Sequence, residues 1–170
     1  MKKLLLSAAA VATLFTACKK DEKKSENYFT LNGKTYNTPY GYNLQIENNL
    51  IMFVSISATT NPTKAFSEVD LAVDTLIDGN TYTLFSYNDG AEYDKTKNFA
   101  DAAVYADVTL DGNGDVKTGK EYSSWSSGTV TVKKSGSGWA FTYQLKAGDS
   151  VTVKGQYTGT ITDLNDLAGL

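Results

Sequence analysis

The sequence predicts an all-β fold, an antiparallel β-sandwich or partly closed β-barrel of about nine or ten strands, on three observations. Short runs rich in Val, Ile, Thr and Tyr are separated by turn clusters at Asn32-Gly33, Asn48-Asn49, Asp78-Gly79, Asp111-Gly112 and Ser135 to Gly138. The last third of the chain alternates apolar and polar residues with a period of two. No amphipathic helical pattern follows residue 27, and only Lys95 to Ala103 has room for a short helical turn.

The alternation is clearest where Val130 and Val132, then Trp139, Phe141, Tyr143 and Leu145, then Val151, Val153, Tyr157 and Ile161 occupy every second place. Alternate side chains of a strand face opposite sides, so this predicts a three-stranded meander with one buried and one wet face. Gly155 and Gly159 fall on the buried parity and either leave room for Trp139 or Phe141 or mark bends. Earlier, a turn at Asn48-Asn49 is expected to pair Leu44 and Ile46 with Phe53 and Ile51. Met52, Val54 and Ile56 then face the other way, so this strand is central and covered on both sides. Further strands are expected near 28–31, 34–38, 69–75, 81–87 and 102–110.

The first 17 residues stand apart from this domain. Met1-Lys2-Lys3 followed by the apolar run Leu4 to Phe15 reads as a secretory signal, and a run of about 12 residues falls short of the roughly 20 of a membrane-spanning helix. Leu14-Phe15-Thr16-Ala17-Cys18 then resembles the lipobox of bacterial lipoproteins, with Phe15 where that box usually carries leucine. The resemblance implies cleavage before Cys18, acylation of its sulfur and anchorage in outer-membrane lipid. The alternative is an ordinary secretory signal followed by a chance cysteine. Cys18 is the only cysteine and so has no internal disulfide partner.

Residues 18–27 are expected to be the lipidated cysteine and a flexible charged tether, since nothing from Lys19 to Asn27 is apolar. Such a tether reaches roughly 30 Å extended and roughly 16 Å as a coil. Within it Lys20, Asp21 and Glu22 resemble the surface-export signal of Bacteroidetes-type lipoproteins, which implies an exterior-facing domain. A plain solvated linker on a periplasm-facing protein is the alternative. Residues 28–170 then form one all-β domain, expected to be a monomer.

Loss of residues 1–17 removes Lys2 and Lys3, which leaves 14 of the 16 lysines against 19 acids and a net charge of −5. That balance disfavours nucleic acid as a partner. The chain has neither arginine nor histidine, which excludes bidentate guanidinium recognition, Ser-His-Asp and Cys-His catalysis, and imidazole-ligated metals.

Three constellations could carry chemistry. Asp111, Asn113 and Asp115 place oxygen ligands at alternate positions, as a calcium loop begins, although Val116 and Tyr122 break the full pattern and a hairpin turn explains the same residues. No other cofactor is expected. Tyr40, Tyr42, Tyr93, Tyr122 and Trp125 lie among Gly, Ser and Asn, where rings either form a platform for a glycan or protein ligand or cap the core. Glu92, Asp94, Asp101 and Asp107 lie in or beside the central loop, and either pair for glycoside hydrolysis or form a solvated face.

Asp78-Gly79-Asn80-Thr81-Tyr82-Thr83, Ser127 to Val132 and Val153 to Gly159 together resemble the β-rich surface lipoproteins of Bacteroidetes type. The resemblance implies an envelope protein and transfers no catalytic residue. The expected function is a lipid-anchored, non-catalytic binding or structural module. The alternatives are a carboxylate-dependent glycan hydrolase and a lipocalin-like small-ligand carrier.

Overall fold

The computed structural model describes residues 26–45, 49–58, 64–87, 90–113 and 115–168. Cys18, Lys20, Asp21 and Glu22 lie outside the described residues, as do Ile46 and Asn48 of the early turn. The strands are β1 (Tyr28–Leu31), β2 (Lys34–Asn37), β3 (Tyr40–Gln45), β4 (Asn49–Val54), β5 (Phe66–Ala72), β6 (Thr81–Leu84) and β7 (Asn98–Phe99). After them come β8 (Ala102–Leu110), β9 (Val116–Tyr122), β10 (Ser127–Ser135), β11 (Gly138–Ala147), β12 (Val151–Gly159) and β13 (Thr162–Asp163), and then helix α1 (Leu164–Ala168).

The strands form a seven-stranded sheet in the order β2-β1-β12-β11-β10-β6-β7 and a six-stranded sheet in the order β13-β3-β4-β5-β8-β9. The two sheets face each other as a sandwich and do not close into a barrel. The expected all-β sandwich is therefore borne out, with two corrections. The strands beyond the expected set are β7 and β13, each of two residues, and β9, whose sequence VKTGKEY has no apolar alternation. The sheets are also mixed rather than purely antiparallel, because β6 pairs with β7 and β13 with β3 in parallel.

The meander β10-β11-β12 forms in the register its alternation requires, with Val132 opposite Phe141 and Phe141 opposite Tyr157. Val130, Val132, Phe141, Tyr143, Leu145, Val153 and Tyr157 are buried, while Trp139 stays partly exposed beneath the ammonium of Lys134, 3.7 Å from its ring. The space left by Gly155 is taken by Tyr143, its cross-strand neighbour, and not by Trp139 or Phe141: a Cβ on Gly155 would run into the Tyr143 ring. One on Gly159 would meet Tyr157. At the other end of the sheet, Asn32 and Gly33 both have positive φ, 49° and 87°, as the tight turn joining β1 and β2 demands.

Phe53 of β4 is the bridge between the sheets. Its ring stacks on Tyr157 at 4.7 Å and on Tyr143 at 5.6 Å and meets the edge of Phe141 at 5.1 Å, all three from the opposite sheet. The inward face of β3 carries Gly41, where a Cβ would strike Tyr157 and Ile161, so this glycine lets the tyrosine lie beneath the strand.

The β3-β4 register differs from expectation. Leu44 opposes Leu50 rather than Phe53, and Tyr42 opposes Met52. Leu44 and Tyr42 therefore share the outer face with Leu50, Met52 and Val54. The expected double burial of β4 holds, since Ile51 and Phe53 are buried inward and Met52 and Val54 outward. Residues 95–103 do not form the expected short helical turn; they make a non-helical turn at 95–97, then β7, then the start of β8. The helix that does form, α1, begins with Asp163 Oδ1 accepting from the Asn165 amide at 2.9 Å.

Candidate functional site

The outer face of β3, β4 and β5 is apolar without being filled. A cleft of about 220 Å³ opens there, walled by Tyr42, Met52, Val54, Ile56, Phe66, Leu110 and Leu164, with Ser57, Ala58 and Glu68 completing its lining. Strand alternation supplies most of the wall, because Phe66, Glu68 and Asp70 point away from the inter-sheet core while Ser67, Val69 and Leu71 point into it. Leu164 reaches the same surface from α1. The Ala58 amide donates to the Tyr42 hydroxyl at 2.9 Å, which holds the chain after β4 against this face.

A bulge completes the wall. Tyr105 opposes Glu68, but Val108, not residue 107, opposes Phe66, so Asp107 is the extra residue, with a φ of 54°. Its amide donates to Ser67 Oγ at 3.0 Å. Residues opposite one another share a face, so the bulge turns Val108 and then Leu110 to the outer side, whereas Ala102, Val104 and Ala106 face the core. Across the edge, Gly119 has a φ of 90°, and a Cβ there would strike the carbonyl oxygens of Ala106 and Asp107. Only glycine fits against the bulge.

Beside this apolar wall sit two acids. Glu68 and Asp70, two residues apart on one face of β5, are near enough to share a side-chain hydrogen bond. Burial is the main force raising the pKa of both, and for Asp70, raised well above the usual carboxylate range, the charge of Glu68 adds to it. Asp70 Oδ1 is out of solvent and has no hydrogen-bond partner. Tyr105, opposite Glu68, has its phenol pushed up to about 12, chiefly by burial and then by Asp70, so it stays neutral. Among the described residues the ion pairs join Lys34 to Asp107 and Lys97 to Asp94, and neither lysine reaches Glu68 or Asp70.

The residues singled out from sequence are dispersed. Tyr40 and Tyr42 are neighbours on β3, with ring centroids 6.5 Å apart; Tyr40 is 41 % exposed and Tyr42 is buried in the cleft wall. Tyr122 and Trp125 also lie 6.5 Å apart, at the β9 edge, with β4, β5 and β8 between them and β3. Both pack against the core, and Trp125 Nε1 donates to the Ala102 carbonyl at 2.9 Å. Tyr93 is elsewhere, edge-on to Phe85, its hydroxyl donating to Asp74 Oδ2 at 2.8 Å. These five rings do not form one platform.

The four acids are likewise divided. Glu92 and Asp94 line one open polar cleft, Asp101 borders another beside Trp125, and Asp107 pairs with Lys34 across the edge. Hydrogen bonds from Lys97 and Thr96 hold the Asp94 carboxyl far below the usual carboxylate range, the reverse of what a general acid needs. At the β8-β9 turn, Asp111 Oδ1 accepts the amides of Asn113 at 2.8 Å and Asp115 at 3.0 Å. Among the described residues no three acidic side chains converge as metal ligands would.

Glu68, Asp70, Phe66, Leu110 and Leu164 were not singled out from sequence. One signal was present: two acids spaced by two within the alternating run Phe66 to Ala72, which must face opposite to Val69 and Leu71. No protein-family model, curated protein or solved structure matches this chain.

Proposed function

We propose that the chain is a lipid-anchored envelope protein, held in the outer membrane through Cys18 and facing the exterior. Its domain is a non-catalytic module that takes a small ligand into the cleft on the outer face of β3, β4 and β5. The observation that carries the binding reading is the cleft itself: a hollow apolar surface over the central strand, where a strand covered on both sides would ordinarily be packed solid. The anchor rests on the Leu14 to Cys18 box and the lone cysteine, and the outward orientation on Lys20, Asp21 and Glu22.

Two measurements test this. Cys18→Ser should abolish incorporation of radiolabelled palmitate in growing cells and leave the protein unprocessed or released; labelling of the serine variant at the native level would overturn the anchor. A six-carbon alkyl probe should bind the full chain saturably, with the methyl resonances of Met52 and Leu110 shifting together. Ala58→Phe, which adds bulk to the lining, should weaken that binding at least tenfold. Absence of saturable binding would overturn the cleft as the ligand site.

A further inference from the structure

We propose that the ligand class is a small amphiphilic ammonium ion, its alkyl or arylalkyl chain lying among Met52, Val54, Phe66 and Leu110 and its charge on the carboxylate of Glu68. This rests on the cleft being the binding site and adds the chemistry of what it takes. The lining is apolar apart from Ser57, the Tyr42 hydroxyl and Glu68, so the one ionisable acid of the wall defines the polar end of a complementary molecule. A charge beside apolar walls interacts more strongly than in water and is costly when left without a partner. No lysine among the described residues supplies that partner.

The second acid sharpens the reading. Asp70 stands beside Glu68 with Oδ1 buried and unpartnered, an acceptor of the kind that folded proteins almost always satisfy. Like charges so close favour a single shared proton, which leaves one negative charge for the pair. One charge matches a monocation. A calcium ion would need six to eight oxygens, and no third acid joins these two among the described residues. A short chain fits: at roughly 30 Å³ for a water-sized group, the open cleft of about 220 Å³ has room for about seven such groups. Hexylammonium has that many heavy atoms.

The test compares hexylammonium with hexan-1-ol, equal in length and without charge, by methyl NMR titration of the full chain and of Glu68→Gln. The amine should bind the native chain at least tenfold more tightly than the alcohol. In Glu68→Gln the amine should weaken at least tenfold while the alcohol stays within twofold, which also reports that the variant's cleft is intact. Equal affinity for the two probes, or an amine affinity unchanged by Glu68→Gln, overturns the ammonium proposal and leaves the cleft as an apolar site. Failure of both probes to bind the native chain overturns the cleft reading and the ammonium proposal together.

Discussion

Replacing Phe53 by alanine should lower the free energy of unfolding by about 3–5 kcal/mol, the range for truncating a fully buried aromatic residue. Phe53 is wholly buried and touches three rings of the opposite sheet, Phe141, Tyr143 and Tyr157, at centroid distances of 4.7 to 5.6 Å. The loss combines the transfer of a large ring to water with a cavity between two sheets that cannot readily collapse, since each is held by its own ladder. Against a typical total of about 5–15 kcal/mol this is about a fifth of the stability or more. Urea denaturation should show the midpoint falling with little change in slope. Phe53→Leu should lose much less. A loss below about 1 kcal/mol in the alanine variant would mean that these ring contacts do not hold the sheets together.

Asp70→Asn should stabilise the protein near neutral pH and remove part of its pH dependence. In the native state both Glu68 and Asp70 have raised pKa values, mainly from burial, against ordinary values of 4.5 and 3.8. Between the ordinary and raised values the folded protein binds more protons than the unfolded chain, so stability falls as pH rises through that window. It is fully present below the ordinary values and has been lost once the pH passes the raised ones. Asparagine keeps the shape, can donate its amide N–H to Glu68 without holding a titrating proton, and ends the repulsion. Removing a carboxyl that must take up a proton to fold near neutral pH predicts a gain of roughly 1–3 kcal/mol there. The melting temperatures of the two proteins should therefore separate as pH rises from 4 to 8. Curves that stay parallel across that range would refute the raised pKa of Asp70.

The features legible in the sequence were those set by neighbours along the chain. The alternation through Val130, Phe141, Tyr143, Val153 and Tyr157 gave both the strands and their buried face, because a one-residue slip would expose the whole set. Asn32-Gly33 marked a tight hairpin turn, because both residues tolerate positive φ. The acid pair Glu68 and Asp70 was visible only as spacing. Its burial depends on Met52 and Val54 lying alongside in β4, more than a dozen residues away in sequence.

By itself, then, the sequence determined an all-β domain, the faces of its clearly amphipathic strands, the charged stretch ahead of it and the absence of arginine and histidine chemistry. Tertiary structure decided the rest. Apolar residues on both faces of 50–56 make more than one hairpin register bury something, so the pairing of Leu44 with Leu50 was settled by what lay above and below β4. The parallel pairings of β7 and β13 join segments that carry almost no pattern, two residues each. The cleft needed the Asp107 bulge, which swings Val108 and Leu110 to the outer face, and a bulge is an offset between two strands that no single strand's periodicity contains.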